Sequence, residues 1–287
     1  MFINGKKIIL GTANLGQNYG ITNNSAFDID VSKSILRNAI SNNVTDFDTA
    51  PDYGVAQELL ASEVTHLAGI NITTKISSKI TGKTDDVVKH FKDSLSVLNV
   101  NQVDSVLFHS SRFVEDRNFR DLVDAILETQ QTKRVGISVY EIDEIATALD
   151  TGAQLTLFQV PENILDRRLE KEPEMETYHS QGIKFVVRSI FLQGALLTNE
   201  VSLPANFKAH KDAFRKLNES AKQQGLSVLE LCVNYVLNIN WAEGILIAAA
   251  TIEQLDEILS VPLKKLQYED FPTLPSYLAD PRNWTKV

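Results

Sequence analysis

Residues able to move a proton stand at or just after the ends of three separate apolar runs in the sequence. Asp48 and Tyr53 lie in the segment FDTAPDYG, Lys75 ends NITTK, and His109 ends VDSVLFH. Tyrosine has a reference pKa of about 10, so it is a poor acid at neutral pH. A nearby ammonium lowers the pKa of a phenol, and a carboxylate supplies the counter-charge that a buried lysine needs. With a histidine that hydrogen-bonds a carbonyl oxygen, such a set could protonate a carbonyl group.

Taken singly, each of these side chains has an ordinary structural explanation. The aspartate could cap the next helix, the tyrosine could pack in a loop, and the lysine could extend along an apolar surface. The histidine could be a hydrogen-bonded core residue. The proton-transfer hypothesis therefore requires a fold that brings the ends of these apolar runs together.

Eight short apolar runs alternate with amphipathic stretches along the 287 residues. The runs cover 8–12, 44–49, 71–75, 103–109, 134–138, 155–160, 183–188 and 243–249. Helical patterns cover 31–43, 55–68, 84–99, 118–130, 141–151, 172–181, 208–239 and 251–260, with Gly225 dividing the longest. Near-continuous apolar strands are typical of parallel sheets buried on both faces. This order predicts an α/β fold, a closed (β/α)8 TIM barrel, with a doubly wound sheet as the alternative.

The whole chain, 1–287, reads as one barrel domain because no linker or repeat divides it. Asn4-Gly5 between short apolar flanks predicts a hairpin at the bottom of the barrel. The proline-containing segment after residue 262 is expected to lie over the surface or the mouth. Barrel enzymes place their sites at the carboxyl ends of the strands, so the four candidates would meet at one mouth.

Composition narrows the classes of partner. The net charge of −9 argues against binding to nucleic acid or anionic membranes, and no run of 18 apolar residues occurs. Cys232 is the single cysteine, expected to be a small buried residue, so a reducing, cytoplasmic location is predicted. No histidine pair has metal-ligand spacing, so no metal site is expected. His66, His90, His179 and His210 are interpreted as surface residues. Arg167 and Arg168 are interpreted as a solvated face, with a position near the mouth of the barrel as the alternative for Arg167.

The motifs FDTAPDYG, TTK, LFHSS, VGIS, FQV and RSIFLQGALL, in this order, resemble the aldo-keto reductases over nearly the whole chain. The resemblance implies a catalytic tetrad at Asp48, Tyr53, Lys75 and His109. It further implies hydride transfer between a nicotinamide cofactor and an aldehyde, ketone or sugar derivative. Tyr53 would be the general acid in reduction and the base in oxidation, and a small-molecule carbonyl substrate is the expected partner.

The resemblance also assigns residues to the cofactor. Ser138 and Gln159 match positions that hold the carboxamide, and Arg188 stands where an aromatic residue often stacks on the nicotinamide. The loop that crosses the pyrophosphate matches Ser189, Leu192, Gln193 and Gly194. No G-x-G-x-x-G follows a strand, in keeping with the extended cofactor binding of this family.

Several positions depart from the family pattern. Val139 replaces an asparagine that often follows the serine, so one carboxamide contact would be lost. Ala248 and Gln254 stand where basic residues clamp the 2'-phosphate of NADPH, and Ile258 stands where an asparagine contacts adenine. Without a cation, a dianionic phosphate loses a charge-assisted interaction. The cofactor is therefore predicted to be NADPH or NADH, with a shift towards NAD(H) or impaired cofactor binding.

Two other functions remain open from the sequence. Lys75 could form a Schiff base in an aldolase, since strand-end lysines do so in barrels. The chain could also be a cofactor-binding sensor or accessory protein without catalysis. The sequence leaves the oligomeric state and the physiological substrate undetermined.

Overall fold

The computed structural model describes residues 1–21, 27–268 and 271–284. Its strands are β1 Phe2–Ile3, β2 Lys6–Gly11, β3 Asp46–Asp48, β4 Asn71–Ile76, β5 Val103–Phe108, β6 Thr132–Ser138, β7 Leu157–Pro161, β8 Lys184–Arg188 and β9 Ala242–Ile247. Its helices are α1 Ala13–Gly16, α2 Ile29–Ser41, α3 Ala56–Glu63, α4 Thr84–Leu98, α5 Phe119–Glu128, α6 Ile142–Asp150, α7 Pro173–Ser180, α8 Lys211–Gln223, α9 Val228–Leu237, α10 Ile252–Leu259 and α11 Ser276–Ala279. Short 3-10 segments cover Ser111–Glu115, Leu192–Leu197, Ala205–His210 and Pro281–Asn283.

The eight strands β2 to β9 form a closed parallel barrel. Each pairs in parallel with the next, and β2 also pairs with β9 through registers such as Ile8 with Ile245. This closure confirms the predicted barrel and excludes the doubly wound sheet, whose first and last strands would be edges. The long helical stretch splits at Gly225, whose φ of 64° is a left-handed conformation suited to glycine.

Alternation along the strands separates two apolar regions. On β2, Ile8 and Leu10 face the main core between the barrel and its helices, whereas Ile9 joins a small cluster with Leu107 and Leu157. Successive strand side chains point to opposite faces, so this smaller cluster occupies the barrel interior. The interior and the outer layer are thus packed separately, and the strand ends are rigidly placed.

The amino-terminal hairpin lies at the bottom of the barrel, as predicted. β1 pairs antiparallel with β2 across Asn4 and Gly5, which have φ values of 50° and 74°. The Asn4 amide donates to the carbonyl of Leu237, and Lys6 donates to that of Asn240, so the hairpin contacts the α9–β9 connection.

The carboxyl-terminal segment covers the loops that follow β7 and β8. The amide of Leu274 donates to the carbonyl of Leu165 at 2.7 Å, and the Trp284 ring meets Phe207 edge-on at 5.3 Å. Arg167 is buried, with 4% of its surface exposed, and donates to the carbonyls of Ile164 and Phe271. The interpretation of Arg167 as a solvated residue is therefore wrong: it ties the β7–α7 loop to the tail.

Other expectations can be compared with the described part of the chain. Cys232 is buried, and burial raises the pKa of its thiol to about 12. Within residues 1–21, 27–268 and 271–284, no helix is long and apolar enough to cross a bilayer. The same ranges contain no group of three His, Cys, Asp or Glu residues that could hold a metal ion.

Candidate active site

The barrel brings the four proton-transfer candidates to one mouth. Asp48 is the last residue of β3, Lys75 lies one residue before the end of β4, and His109 follows β5 directly. Tyr53 is in the loop between β3 and α3. Because the strands are parallel neighbours, their carboxyl ends lie side by side.

Asp48 and Lys75 form a buried ion pair at this mouth. Each side chain is 1% exposed, and the Lys75 ammonium contacts the Asp48 Oδ1 atom and donates to the carbonyl of Thr49 at 3.2 Å. The Gln159 amide donates to Asp48 Oδ2 at 2.6 Å. Burial lowers the pKa of Lys75, against the opposing effect of Asp48. Both carboxylate oxygens are therefore engaged, and the pair is fixed in place.

Tyr53 lies between this ion pair and His109. The Lys75 ammonium is 5.0 Å from the centroid of the Tyr53 ring, and the Tyr53 hydroxyl is 3.4 Å from His109 Nε2. Burial, followed by the charge of Asp48, raises the pKa of Tyr53 above its ordinary value. The lowering of this pKa expected from Lys75 is thus outweighed by burial, and the resting hydroxyl keeps its proton. A protonated phenol is the form that can donate to a carbonyl oxygen.

A glycine on the neighbouring loop sets the position of Tyr53. A Cβ atom on Gly16 would lie 1.9 Å from the carbonyl oxygen of Tyr53 and 2.5 Å from the amide of Ala56. The amide of Val55 also donates to the carbonyl of Gly16 at 3.1 Å. The sequence analysis missed Gly16, because its role depends on a backbone approach between segments about 40 residues apart.

Asp52 is a second residue that sequence reasoning missed. Its Oδ2 atom is 3.7 Å from His109 Nδ1, and its Oδ1 atom accepts from the Lys79 ammonium at 2.8 Å. Contact with His109 holds the pKa of Asp52 well below its usual range, assisted by Lys79. Burial lowers the pKa of His109 against the opposing effect of Asp52, which favours the neutral imidazole. The sequence feature that could have pointed to Asp52 is its position directly before Tyr53 in FDTAPDYG.

The residues assigned to the nicotinamide end stand on adjacent strands. Ser138 pairs in register with Gln159 across β6 and β7, and Arg188 ends β8. The Arg188 guanidinium donates to the carbonyl of Val139 at 3.1 Å and lies 4.2 Å from the centroid of the Tyr140 ring. One face of the guanidinium is therefore already covered by Tyr140. The Val139 side chain is fully buried, in keeping with the contact expected to be lost there.

The loop after β8 has an unusual backbone. Ser189, Leu192, Gln193 and Gly194 have φ values of 62°, 48°, 53° and 90°. Left-handed conformations in residues other than glycine cost free energy and concentrate at binding loops. Leu192 is fully buried, so any ligand contact from it would be made by its backbone.

At the opposite end of the assigned cofactor site, Ala248 follows β9 and Gln254 lies in the first turn of α10, both exposed. The Gln254 side-chain oxygen accepts from the amide of Ala250 at 2.8 Å, which closes the turn. Ile258, which stands where the family pattern has an adenine-contacting asparagine, is an apolar core residue with 2% of its surface exposed. The Lys264 ammonium donates to the carbonyls of Gln224 and Gly225 in the α8–α9 turn.

The sequence model of the Aldo/keto reductase family matches residues 7–278. The chain belongs to the aldo/keto reductase family. This membership confirms the resemblance seen in the sequence motifs and makes the protein an oxidoreductase of carbonyl compounds. Nicotinamide cofactors are typical of the family.

Individual relatives are distant. L-glyceraldehyde 3-phosphate reductase of Escherichia coli K12 is 23% identical over 285 residues, covering 85% of this chain and 81% of the relative. The aldo-keto reductase of Bacillus halodurans in its holo form has a TM-score of 0.75 at 19% identity, covering 92% of this chain and 89% of that one. The glycerol dehydrogenase of Gluconobacter oxydans has a TM-score of 0.71 at 19% identity, covering 91% and 88%. At these identities, the structural likenesses establish the fold.

Proposed function

We propose that this protein transfers a hydride between a nicotinamide cofactor and a carbonyl or alcohol substrate, with Tyr53 as the general acid in reduction and the general base in oxidation. The observation that carries the proposal is the position of the Tyr53 hydroxyl, 3.4 Å from His109 Nε2 at the mouth of the barrel. The ring lies beside the Lys75 ammonium, at 5.0 Å. We further propose that residues 1–287 act as one catalytic domain.

Lys75 and Asp48 support Tyr53 from inside the barrel. The ammonium stabilises the phenolate that remains after proton donation, and the buried carboxylate keeps the ammonium charged. Gln159 holds the second carboxylate oxygen, so Asp48 cannot turn away from Lys75. The ammonium thus lowers the free energy of the Tyr53 phenolate, and neither member of the pair exchanges protons with the substrate.

The polar groups beside the tetrad fit a nicotinamide cofactor. Ser138 offers a hydroxyl, and Gln159, whose amide nitrogen serves Asp48, offers its side-chain oxygen to a carboxamide. Arg188 presents a guanidinium, and the left-handed loop from Ser189 to Gly194 lies beyond it. When bound, the nicotinamide supplies or accepts the hydride. We propose that NAD(H) is bound at least as well as NADP(H), because Ala248 and Gln254 bring no cation to the adenosine end.

For the substrate, we propose a small polyhydroxylated aldehyde or ketone. The mouth carries Tyr19, 40% exposed, together with Tyr140 and Arg188. Phenol hydroxyls and a guanidinium offer hydrogen bonds to hydroxyl groups, and the aromatic faces pack on the sugar carbons. Distant relatives are a reductase of L-glyceraldehyde 3-phosphate and a glycerol dehydrogenase, whose names point in the same direction.

The test is turnover of a panel of aldehydes, ketones and sugars with NADH and with NADPH. Tyr53→Phe should lower kcat by at least about 100-fold while the cofactor dissociation constant changes little. Tyr277→Phe is the matched control, because Tyr277 is 55% exposed and its hydroxyl faces His210. A Tyr53→Phe variant with the wild-type rate would show that Tyr53 is not the acid.

The aldolase and accessory-protein alternatives give different results in the same experiments. Lys75 is 1% exposed and held by Asp48 and Thr49, which leaves it poorly placed to attack a substrate carbonyl. A covalent adduct on Lys75 after borohydride trapping with a carbonyl substrate would favour an aldolase. Cofactor binding without turnover of any panel member would favour a sensor or accessory role.

A further inference from the structure

Asp52, outside the tetrad, is placed to control the proton on His109. The two nitrogens of the His109 ring face different partners: Nδ1 lies 3.7 Å from Asp52 Oδ2, and Nε2 lies 3.4 Å from the Tyr53 hydroxyl. The side chains of His109 and Asp52 are 25% and 21% exposed, so the contact is partly shielded from water. The carboxylate, imidazole and phenol therefore stand in line from the surface towards the tetrad.

We propose that Asp52 is a positioning residue that holds the His109 proton on Nδ1 and makes Nε2 the proton acceptor for Tyr53. A carboxylate accepts hydrogen bonds and cannot donate them when ionised. The contact of Nδ1 with Asp52, at 3.7 Å, is longer than a hydrogen bond, but the charge of the carboxylate favours the proton on the nitrogen that faces it and a lone pair on the nitrogen that faces Tyr53. A neutral His109 in this tautomer cannot donate from Nε2 to a substrate carbonyl, the role that the sequence analysis expected.

The proton balance of this arrangement rests on the proposed oxidoreductase function. In alcohol oxidation, Tyr53 passes its proton to His109 Nε2, and the phenolate, stabilised by the Lys75 ammonium, takes the proton of the substrate hydroxyl. A bound oxidised nicotinamide would accept the hydride that the substrate carbon loses, so the balance would close with the carbonyl compound, the reduced nicotinamide and an imidazolium. In reduction, Tyr53 protonates the carbonyl oxygen, and the imidazolium returns a proton to the resulting phenolate. Asp52 stabilises the imidazolium in both directions.

The surrounding charges determine the size of this effect. Asp52 and Asp48 raise the pKa of His109, whereas burial and the Lys75 ammonium lower it. Lys79, 80% exposed, neutralises part of the Asp52 charge from the opposite side. His90 also lies near Asp52, and its Nε2 atom accepts from the amide of Ser77. Asp48 is already paired with Lys75, so Asp52 is the carboxylate whose removal should change His109 most.

The first test measures the tautomer and the pKa of the His109 imidazole by nitrogen-15 and proton NMR, in the whole protein without substrate. We expect the Nδ1–H tautomer in the neutral wild-type ring. Asp52→Asn should lower the pKa of His109 by about one pH unit, since both side chains are partly exposed and water weakens the interaction between charges about 4 Å apart. Lys79→Gln should move the same pKa upwards, because it removes the cation that competes for Asp52.

The second test is the pH profile of turnover. Oxidation needs the neutral ring and is lost as pH falls through the pKa of His109, whereas reduction needs the imidazolium and is lost as pH rises through it. Both limits should move to lower pH in Asp52→Asn, with kcat for oxidation about tenfold lower and KM little changed. Asp52→Glu should restore the wild-type limits by keeping the charge, and Glu58→Gln, at an exposed site on α3, controls for loss of a carboxylate.

Two results would overturn the proposal. One is an Nε2–H tautomer in the wild-type protein. The other is a His109 pKa that shifts no more in Asp52→Asn than in Glu58→Gln. Both are read from the NMR titration, so they hold even if no substrate is turned over. Failure of turnover with an Nδ1–H ring would instead contradict the proposed oxidoreductase function.

Discussion

Removal of Lys75 should destabilise this protein more than removal of a surface lysine. Lys75 and Asp48 are each 1% exposed and contact each other inside the barrel mouth. In Lys75→Met, the methionine fills most of the volume of the lysine stem but leaves the Asp48 carboxylate without its cation. Gln159 still donates to Asp48 Oδ2 at 2.6 Å, yet an amide does not neutralise a buried charge.

The expected loss follows from this geometry. Breaking a buried ion pair by removing one partner costs about 3–5 kcal/mol, because the remaining charge stays desolvated. The retained Gln159 hydrogen bond places Lys75→Met near the lower end, at about 3 kcal/mol. The double variant Asp48→Asn/Lys75→Met has no buried charge and should recover to within about 1–2 kcal/mol of the wild type. Both variants should lose catalytic activity, since neither keeps the ammonium beside Tyr53.

The assay is equilibrium unfolding in urea, followed by the fluorescence of Trp241 and Trp284, with the free energies combined in a double-mutant cycle. Lys89→Met is the matched control. Lys89 and Asp93 form an i,i+4 pair on α4 with side chains 76% and 60% exposed, and such pairs contribute about 0.3–0.5 kcal/mol.

The reasoning would be refuted by a Lys75→Met variant that loses no more stability than Lys89→Met. It would also be refuted by a double variant as unstable as Lys75→Met, because the loss would then reflect packing rather than an unpaired charge. Recovery of stability without recovery of turnover is the expected combination. It would separate the structural role of the pair from its role beside Tyr53.

Three further predictions concern other parts of the molecule. Gly16→Ala should displace the Tyr53 loop and lower kcat by roughly 100-fold in a folded protein, measured by steady-state kinetics with circular dichroism; unchanged kcat would contradict the close approach seen there. Gln254→Arg should tighten NADPH binding by about tenfold and leave NADH unchanged in fluorescence titrations, because it adds a cation at the turn assigned to the 2'-phosphate; equal effects on both cofactors would argue against that assignment. Glu162 is fully buried, and burial raises the pKa of its carboxyl well above the ordinary value. Its contribution to stability is present below about pH 4 and is lost as pH rises towards the raised pKa, by up to about 1.4 kcal/mol per pH unit. Glu162→Gln should flatten this dependence in urea unfolding between pH 4 and 8; equal pH dependence in both proteins would contradict the raised pKa.

Much of the fold was predictable because its signals are local. Each of the eight apolar runs overlaps a barrel strand, and Asn4-Gly5 forms the hairpin turn that such a dipeptide favours. The convergence of Asp48, Lys75 and His109 followed from one further rule, that parallel strands in a barrel present their carboxyl ends on the same face. The motifs around these residues identified the family, which the match over residues 7–278 confirms.

Other parts of the site could not be predicted because they depend on distances between remote segments. Arg167 has the sequence context of a surface residue, yet the tail buries it against the carbonyl of Phe271. Ile258 lies on α10, and the packing of this helix turns its side chain into the core. Spacing along a chain sets which residues share a strand or a helix face. Packing of the whole chain decides which face is covered.

The sequence alone determined the barrel, the strand-end placement of the four proton-transfer candidates and the family, because these depend on periodicity and short motifs. Only the tertiary structure decided how those residues interact. It placed Gln159 on Asp48, brought Gly16 against the backbone of Tyr53, and set Asp52 beside His109. It also decided that burial raises the pKa of Tyr53 despite the adjacent ammonium. Desolvation and charge pairing depend on the three-dimensional surroundings of a group, which its neighbours in sequence do not specify.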